Sequence, residues 1–230
     1  MSNQCKDSPI TRIGMFLELL QTGIMIGLFA GMDWTLQRFE KPYYAIHAFH
    51  NALIVYVTAP DLIHTFTDLH NITNYPTNWL AIQLCFALHA YHVLNYYKTF
   101  RFDDWLHHGL MIGIALPIGA FLDSHTLLGM SLFFTTGLPG GIDYALLFGQ
   151  RNGWIGRLTE KKVNTVLNVW IRSPGCMAMA FIGLASFLSL PHPTPYQWLG
   201  IIPCLLNYWN GQYFMQQVVT DSARLGYLQI

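Results

Sequence analysis

Long stretches without charged residues alternate with short charged segments along the chain. The uncharged stretches cover residues 42–60, 69–97, 105–122, 124–142 and 173–220. A helix that crosses a bilayer needs about 20 mainly apolar residues, because lipid offers no partners for unpaired backbone groups. The pattern predicts an all-helical, polytopic membrane protein with seven transmembrane helices in one bundle. We expect these helices over about residues 13–32, 43–64, 78–97, 104–122, 126–149, 163–190 and 197–219.

The composition supports a membrane protein over a soluble one. Of the 230 residues, 53% are apolar and 10% are charged, whereas a soluble globular domain carries about 25% charged residues. The formal net charge is +0, so nothing in the composition attracts nucleic acid. The four cysteines are scattered, at positions 5, 85, 176 and 204, and this spacing favours neither a disulfide framework nor a cysteine metal site.

The distribution of lysine and arginine predicts the orientation of the bundle. The loops after the first, third and fifth predicted helices, together with the C-terminal tail, hold Arg38, Lys41, Lys98, Arg101, Arg151, Arg157, Lys161, Lys162 and Arg224. The opposite side holds only Lys6 and Arg12. Because basic loops remain in the cytosol, we expect a lumenal or external N-terminus and a cytosolic C-terminus.

With this topology, six of the ten histidines fall near the cytosolic ends of three helices. They are His47 and His50, His89 and His92, and His107 and His108. The first two pairs are spaced i,i+3, so that each lies on one helix face. Asp143 and Arg172 are predicted at a similar depth, where an ionisable group is costly unless it is paired or hydrated. We therefore expect a functional site at this end, although a single membrane histidine can equally serve as a hydrogen-bonding contact between helices.

The residue types fit acyl transfer from a thioester to a lipid amine or hydroxyl. His107 or His108 would act as the base, since imidazole titrates near neutral pH, and Asp143 would orient it. The residues expected to bind lipid or substrate are His89, His92, Arg172, Asn207 and Tyr208. Acyl-CoA is the expected co-substrate, and we expect no bound cofactor. Arg172 can alternatively extend to the head groups, and Asn207 and Tyr208 can serve as interhelical contacts.

The segment from Arg101 to His108 resembles the TLC family, which includes ceramide synthases and translocation-associated membrane proteins. His107 and His108 match the family's paired histidines, and Asp143 matches the second acid of its D-x-x-D pattern. Gly140 stands in place of the first acid and Met111 in place of a threonine. The resemblance implies a TLC-like domain over residues 40–222, after a lumenal N-terminus and first helix in 1–39 and before a cytosolic tail in 223–230. It also implies sphingolipid metabolism in the endoplasmic reticulum.

Two other classes of function remain open. A small TLC-like bundle could bind or regulate membrane lipids without catalysis, as a homo-oligomer or as an accessory subunit of a membrane complex. A histidine-ligated metal oxidoreductase would use His47, His50, His89 and His92, because neutral imidazole suits iron or zinc. A retinal protein is excluded, since the last predicted helix contains no lysine.

Overall fold

The computed structural model describes residues 12–122, 124–189 and 194–227, and these form helices and connecting segments without any β-strand. The seven helices are α1 (Arg12–Thr35), α2 (Pro42–Thr67), α3 (Trp79–Tyr96), α4 (102–121), α5 (125–151), α6 (Arg157–Leu188) and α7 (Ile201–Tyr227). The all-helical prediction and the order of the helices are confirmed. The largest differences lie in α6, which begins at Arg157, and α7, which continues to Tyr227. The apolar stretch predicts only the apolar part of each helix, and both helices continue beyond it in turns that carry charged residues.

One helix of the described residues, Arg157–Leu188, is both long enough and apolar enough to cross a membrane. Hydropathy averaged along a helix counts every face, whether it points into the protein or outward. Helix α2 illustrates the effect, because polar side chains occupy much of its buried face. These are His47, His50, Asn51, Thr58, Asp61 and Thr65.

Three helices contain a π-helical turn, and each turn ends two residues before a proline. The turns are Met111–Ala115 in α4, Phe133–Gly137 in α5 and Asn168–Arg172 in α6. The prolines are Pro117, Pro139 and Pro174. Proline has no backbone N–H and crowds the carbonyl of the preceding turn, so the local hydrogen bonding changes there. Single π turns are frequent at functional sites.

The short connections make successive helices run in opposite directions, so the bundle has two distinct ends. The first, called the cavity end here, brings together the end of α3 and the starts of α2 and α4, where Tyr43, His92 and Phe100 form ring contacts. The other, the closed end, brings together the end of α2 and the starts of α3 and α5. There Thr65 donates a hydrogen bond to Thr126 over 3.0 Å.

The apolar core is centred on α3, where Ala81, Leu88 and Tyr91 are fully or almost fully buried, and Phe29 of α1 and Ile54 of α2 pack into it. Helices α6 and α7 approach closely where Gly211 lies against Ser173 and Cys176. A Cβ on Gly211 would lie 2.9 Å from Cys176 Cβ, so the close approach depends on the missing side chain. Small residues commonly permit such contacts between membrane helices.

Candidate functional site

A cavity of about 400 Å³ opens at the cavity end of the bundle. Side chains from α2 to α7 line it, and each of the three π turns contributes at least one of them: Met111, Thr135 and Arg172. Seven residues that the sequence singled out meet here: His47, His89, His92, His107, His108, Asp143 and Arg172. Helices far apart in the sequence thus present their polar side chains to one space.

His89 and His107 form a hydrogen-bonded pair whose proton positions follow from their surroundings. His89 Nδ1 lies 2.7 Å from the carbonyl oxygen of Cys85, and since a carbonyl can only accept, Nδ1 carries the hydrogen. In neutral His89 the other nitrogen, Nε2, must then accept. It lies 3.4 Å from His107 Nε2, which donates. This leaves the lone pair of His107 on Nδ1, so the base of this pair is defined down to the atom.

The other imidazoles of the cavity are fixed by main-chain and aromatic contacts. His47 Nδ1 donates to the carbonyl oxygen of Tyr43 over 2.8 Å, and its ring meets that of His92 edge to face at 4.7 Å. His108 stacks on Phe100, with ring centroids 4.8 Å apart and planes 5° from parallel. His108 Nδ1 is buried and has no hydrogen-bond partner. These contacts hold the rings in place without an acidic partner.

Asp143 does not orient either histidine of the pair, contrary to the sequence-based hypothesis. Among the described residues its hydrogen-bond partner is Asn164, whose Nδ2 donates to Asp143 Oδ1 over 2.7 Å. Asn164 Oδ1 in turn accepts from Asn168 Nδ2 over 2.6 Å. Asp143 therefore lines the same cavity as the imidazoles but belongs to a hydrogen-bond network on α6.

That network is part of a polar stripe on α6 that the sequence analysis overlooked. Glu160, Asn164, Asn168 and Arg172 lie four residues apart, and all four are buried. Residues at i,i+4 share a helix face, so the stripe points into the bundle. Glu160 Oε2 lies 3.6 Å from Lys161 Nζ, which is itself 3.9 Å from Asp221. The regular spacing of polar residues in an apolar helix is the signal that could have revealed it.

Three of the predicted residues lie outside the cavity. His50 is fully buried beside it, with Nδ1 2.9 Å from Asn51 Oδ1. Asn207 lines a separate space of about 40 Å³, where its Oδ1 accepts from Ser131 over 2.9 Å. Tyr208 lies on the outside of the bundle, 46% exposed. Asn207 thus forms an interhelical contact. Tyr208, the next residue along the helix, lies on a different face and points outward.

The described residues contain no group of three or more His, Cys, Asp or Glu side chains arranged to hold a metal ion. The predicted set His47, His50, His89 and His92 is thus not grouped as a metal site there. Its Nδ1 atoms are engaged elsewhere: His50 Nδ1 lies 2.9 Å from Asn51 Oδ1, and His47 and His89 each direct Nδ1 to a carbonyl of their own helix.

Further charged side chains line the cavity. Asp103, Asp104 and Asp221 are among them, together with Arg101. Asp104 Oδ2 accepts a 2.8 Å hydrogen bond from the backbone N–H of Arg101, which caps the start of α4. Two of the three carboxylates lie near a basic group, because Asp104 Oδ2 is 3.9 Å from Arg101 Nε and Asp221 Oδ2 is 3.9 Å from Lys161 Nζ.

Neither a family model, nor a curated protein sequence, nor a solved structure matches the chain.

Proposed function

We propose that this chain is a polytopic membrane protein whose seven helices cross the bilayer. The support is the reversed polarity of its helices. Helix α2 buries polar side chains such as Asn51 and Asp61 but exposes Tyr56 (80%) and Phe66. Helix α6 buries the polar stripe and exposes Trp170. Water would favour the opposite arrangement, whereas lipid tails favour an apolar outside.

Exposed tryptophans near both ends of the bundle add to this proposal. Trp34, Trp105 and Trp154 are exposed at the cavity end, and Trp79 and Trp198 are exposed at the closed end. Tryptophan is enriched at both membrane interfaces, where its ring is partly apolar and partly polar. With the basic loops in the cytosol, the cavity end is the cytosolic end.

The proposed activity is transfer of an acyl chain from a thioester to the amine of a lipid. One observation carries it: five imidazoles line a single cavity at one end of the bundle. Apolar side chains such as Leu88, Leu110 and Leu206 line the same space, which suits an acyl chain.

In this mechanism His107 is the base. Its Nδ1 takes a proton from the amine as the amine nitrogen attacks the thioester carbonyl carbon. A C–N bond forms, the C–S bond breaks, and the sulfur leaves with its electron pair. His107 then returns the proton to the sulfur. His89 Nε2 accepts the hydrogen bond of His107 and stabilises its positive charge, which is the role of the third residue in a catalytic triad.

The proposed substrates follow from a cavity that opens toward the cytosol. Acyl-CoA is the proposed donor, because its phosphates stay in water while its acyl chain enters the bundle. The proposal agrees with the resemblance to the TLC family. From that resemblance we expect a role in sphingolipid metabolism in the endoplasmic reticulum. The acceptor is a long-chain lipid amine.

The activity is tested on protein purified in detergent micelles. A panel of acyl-CoA thioesters and long-chain amines is offered, and both released thiol and amide product are measured. We expect amide formation that requires both substrates and His107. A folded protein that forms no amide with any pair would overturn the proposal.

A second candidate is lipid binding without catalysis, and one observation favours it. The carboxylate of Asp143 is engaged by Asn164 and does not assist an imidazole. Under this alternative, a lipid extracted with the purified protein is identified by mass spectrometry, while the substrate panel gives no product. Recovery of a lipid together with turnover would favour the enzyme.

The topology is tested with single introduced cysteines at exposed positions of the two ends. His70→Cys lies at the closed end and Arg157→Cys at the cavity end. A membrane-impermeant thiol reagent added to sealed vesicles should label one and spare the other. Equal labelling of both positions in intact vesicles would contradict a bundle that spans the membrane.

A further inference from the structure

Arg172 is a buried cation with no partner in the described part of the chain. Its side chain is 5% exposed, and its Nε is buried without a hydrogen-bond acceptor. No described carboxylate lies within ion-pair distance of its guanidinium, which instead lies over the ring of Phe214 at 4.9 Å. Asp143 lines the same cavity and attracts Arg172 from beyond ion-pair distance. A closer counterion from outside the chain would compensate the buried charge more fully.

Gly140 lines the cavity beside Arg172. A Cβ built on it would lie 3.6 Å from Arg172 Nη2 and 2.8 Å from Asn51 Nδ2. Asn51 is fully buried and packs against this glycine without lining the cavity. The guanidinium of Arg172 therefore borders the cavity next to a position that carries no side chain.

The chemistry of the group follows from charge and surroundings. A single guanidinium is balanced by one negative charge, and paired donors on one side match the oxygens of a carboxylate. Met111, Leu206 and Phe214 also line the cavity, so that a hydrocarbon chain can follow the charged group.

We propose that Arg172, beside Gly140, forms a binding site for the singly charged carboxylate of a long-chain acyl group. The site deepens the proposed function, on which its biological meaning rests. In transfer, the same guanidinium would hold the thioester oxygen as it becomes negatively charged. A free long-chain carboxylate therefore binds in the position of the acyl group.

The test compares dodecanoate with dodecanol, which share a chain but differ in charge. Their affinities are measured from the ligand-dependent rise of the unfolding temperature in micelles, at a pH where the acid is ionised. Because hydrogen bonds to a charged group contribute about 1.5–3 kcal/mol, we expect dodecanoate to bind about 10- to 100-fold more tightly. Acetate, which lacks the chain, should not stabilise the protein at matched concentrations.

Variants test whether the preference for dodecanoate over dodecanol depends on Arg172 and its surroundings. Arg172→Gln should bring the two affinities together, whereas Arg151→Gln, an exposed arginine at the same end, should retain the preference for the acid. Gly140→Ala keeps the charge of Arg172 but places a Cβ 3.6 Å from Arg172 Nη2 and 2.8 Å from Asn51 Nδ2. Because this crowds the guanidinium, it should also weaken dodecanoate binding selectively. If Arg172→Gln does not fold, Gly140→Ala and the wild-type comparison still decide.

Equal affinities of acid and alcohol in the wild type would overturn the proposal. So would a preference that survives in Arg172→Gln and Gly140→Ala, or stabilisation by acetate equal to that by dodecanoate, which would indicate a site for small anions only. The binding result is independent of turnover. If dodecanoate is preferred over dodecanol but no amide forms, the carboxylate site is supported and the proposed acyl transfer is refuted. If amide forms without that preference, acyl transfer is supported and the carboxylate site is refuted.

Discussion

The two ends of the bundle both bury polar side chains but use them differently. At the closed end, Asn78 Nδ2 donates to Asp61 Oδ2 over 3.1 Å and to the carbonyl oxygen of Val57 over 2.7 Å. Thr65 and Thr126 bond to each other, and Gly129 has no side chain where Asp61 packs against it. The polar groups of this end satisfy one another and leave no large space between them.

At the cavity end, comparable groups surround a space and keep unused hydrogen-bonding capacity. Buried atoms without a partner include Arg172 Nε, Asn51 Nδ2, His108 Nδ1 and Asn210 Oδ1. A buried polar group without a partner costs about 1–3 kcal/mol, so such groups persist where another requirement keeps them. The two ends of the bundle therefore differ in how far their buried polar groups are paired among the described residues, not in whether polar groups are buried.

The largest contrast is expected from removing one histidine at each end. His107→Asn should lower the rate of acyl transfer by about 10²–10⁴-fold, the usual contribution of a general base, with little change in stability. His64→Asn is the matched variant, because His64 stacks on Tyr75 at the closed end. Its rate per folded molecule should be unchanged. Steady-state assays of both variants make the comparison, and an equal loss in both would mean that the ends do not differ in function.

Two glycines sharpen the comparison in stability. Gly129→Ala would force a Cβ into the carboxylate of Asp61, and overpacking together with the disturbed Asp61–Asn78 bond should cost about 3 kcal/mol. Gly27→Ala in α1, with no atom within 4 Å of the added Cβ, should be neutral or stabilising by up to about 1 kcal/mol. Denaturant unfolding in micelles measures both. A tolerated Gly129→Ala would show that the closed end is loosely packed.

Asn78→Ala should destabilise the protein by about 2 kcal/mol without changing the activity of the folded fraction. The variant removes the cap that accepts from the N–H of Ala81 over 3.1 Å and leaves Asp61 without its amide donor, which together account for the cost. Asn74→Ala, on an exposed side chain, is the control and should stay within about 0.5 kcal/mol. A loss of turnover by folded Asn78→Ala protein would couple the closed end to the cavity.

The smallest effect is a pH dependence from the loop between α2 and α3. Hydrogen bonds from Asn71 and Tyr75 lower the pKa of Asp68. A lowered pKa in the folded state adds stability above the unfolded pKa of about 3.9, and this is lost as the pH falls through the folded pKa. Unfolding temperatures of wild type and Asp68→Asn should therefore differ slightly at neutral pH and converge in acid. A difference that grows in acid would contradict this sign.

Much of the fold and part of the site could be read from local patterns. Long apolar stretches, uncharged except for Glu18 in the first, locate the helices of the described residues, and alternating helix direction puts His89, His107 and Asp143 at one depth. Depth does not give the direction of a side chain around its helix axis. For this reason Tyr208 was expected inside and lies outside, while Asn164, which binds Asp143, was not singled out.

The sequence by itself determined the helices, because the spacing of charged and uncharged residues is a property of single segments. The prolines at 117, 139 and 174 belong to the same local information, although their meaning as ends of π turns became visible only in the structure. Tertiary structure alone decided which groups are paired. Whether Asp143 meets an imidazole or an amide, and whether Arg172 meets a carboxylate, depends on how helices distant in sequence rotate and pack. A hydrogen bond forms only if its two atoms are positioned to within a few tenths of an ångström and lie on facing sides of their helices.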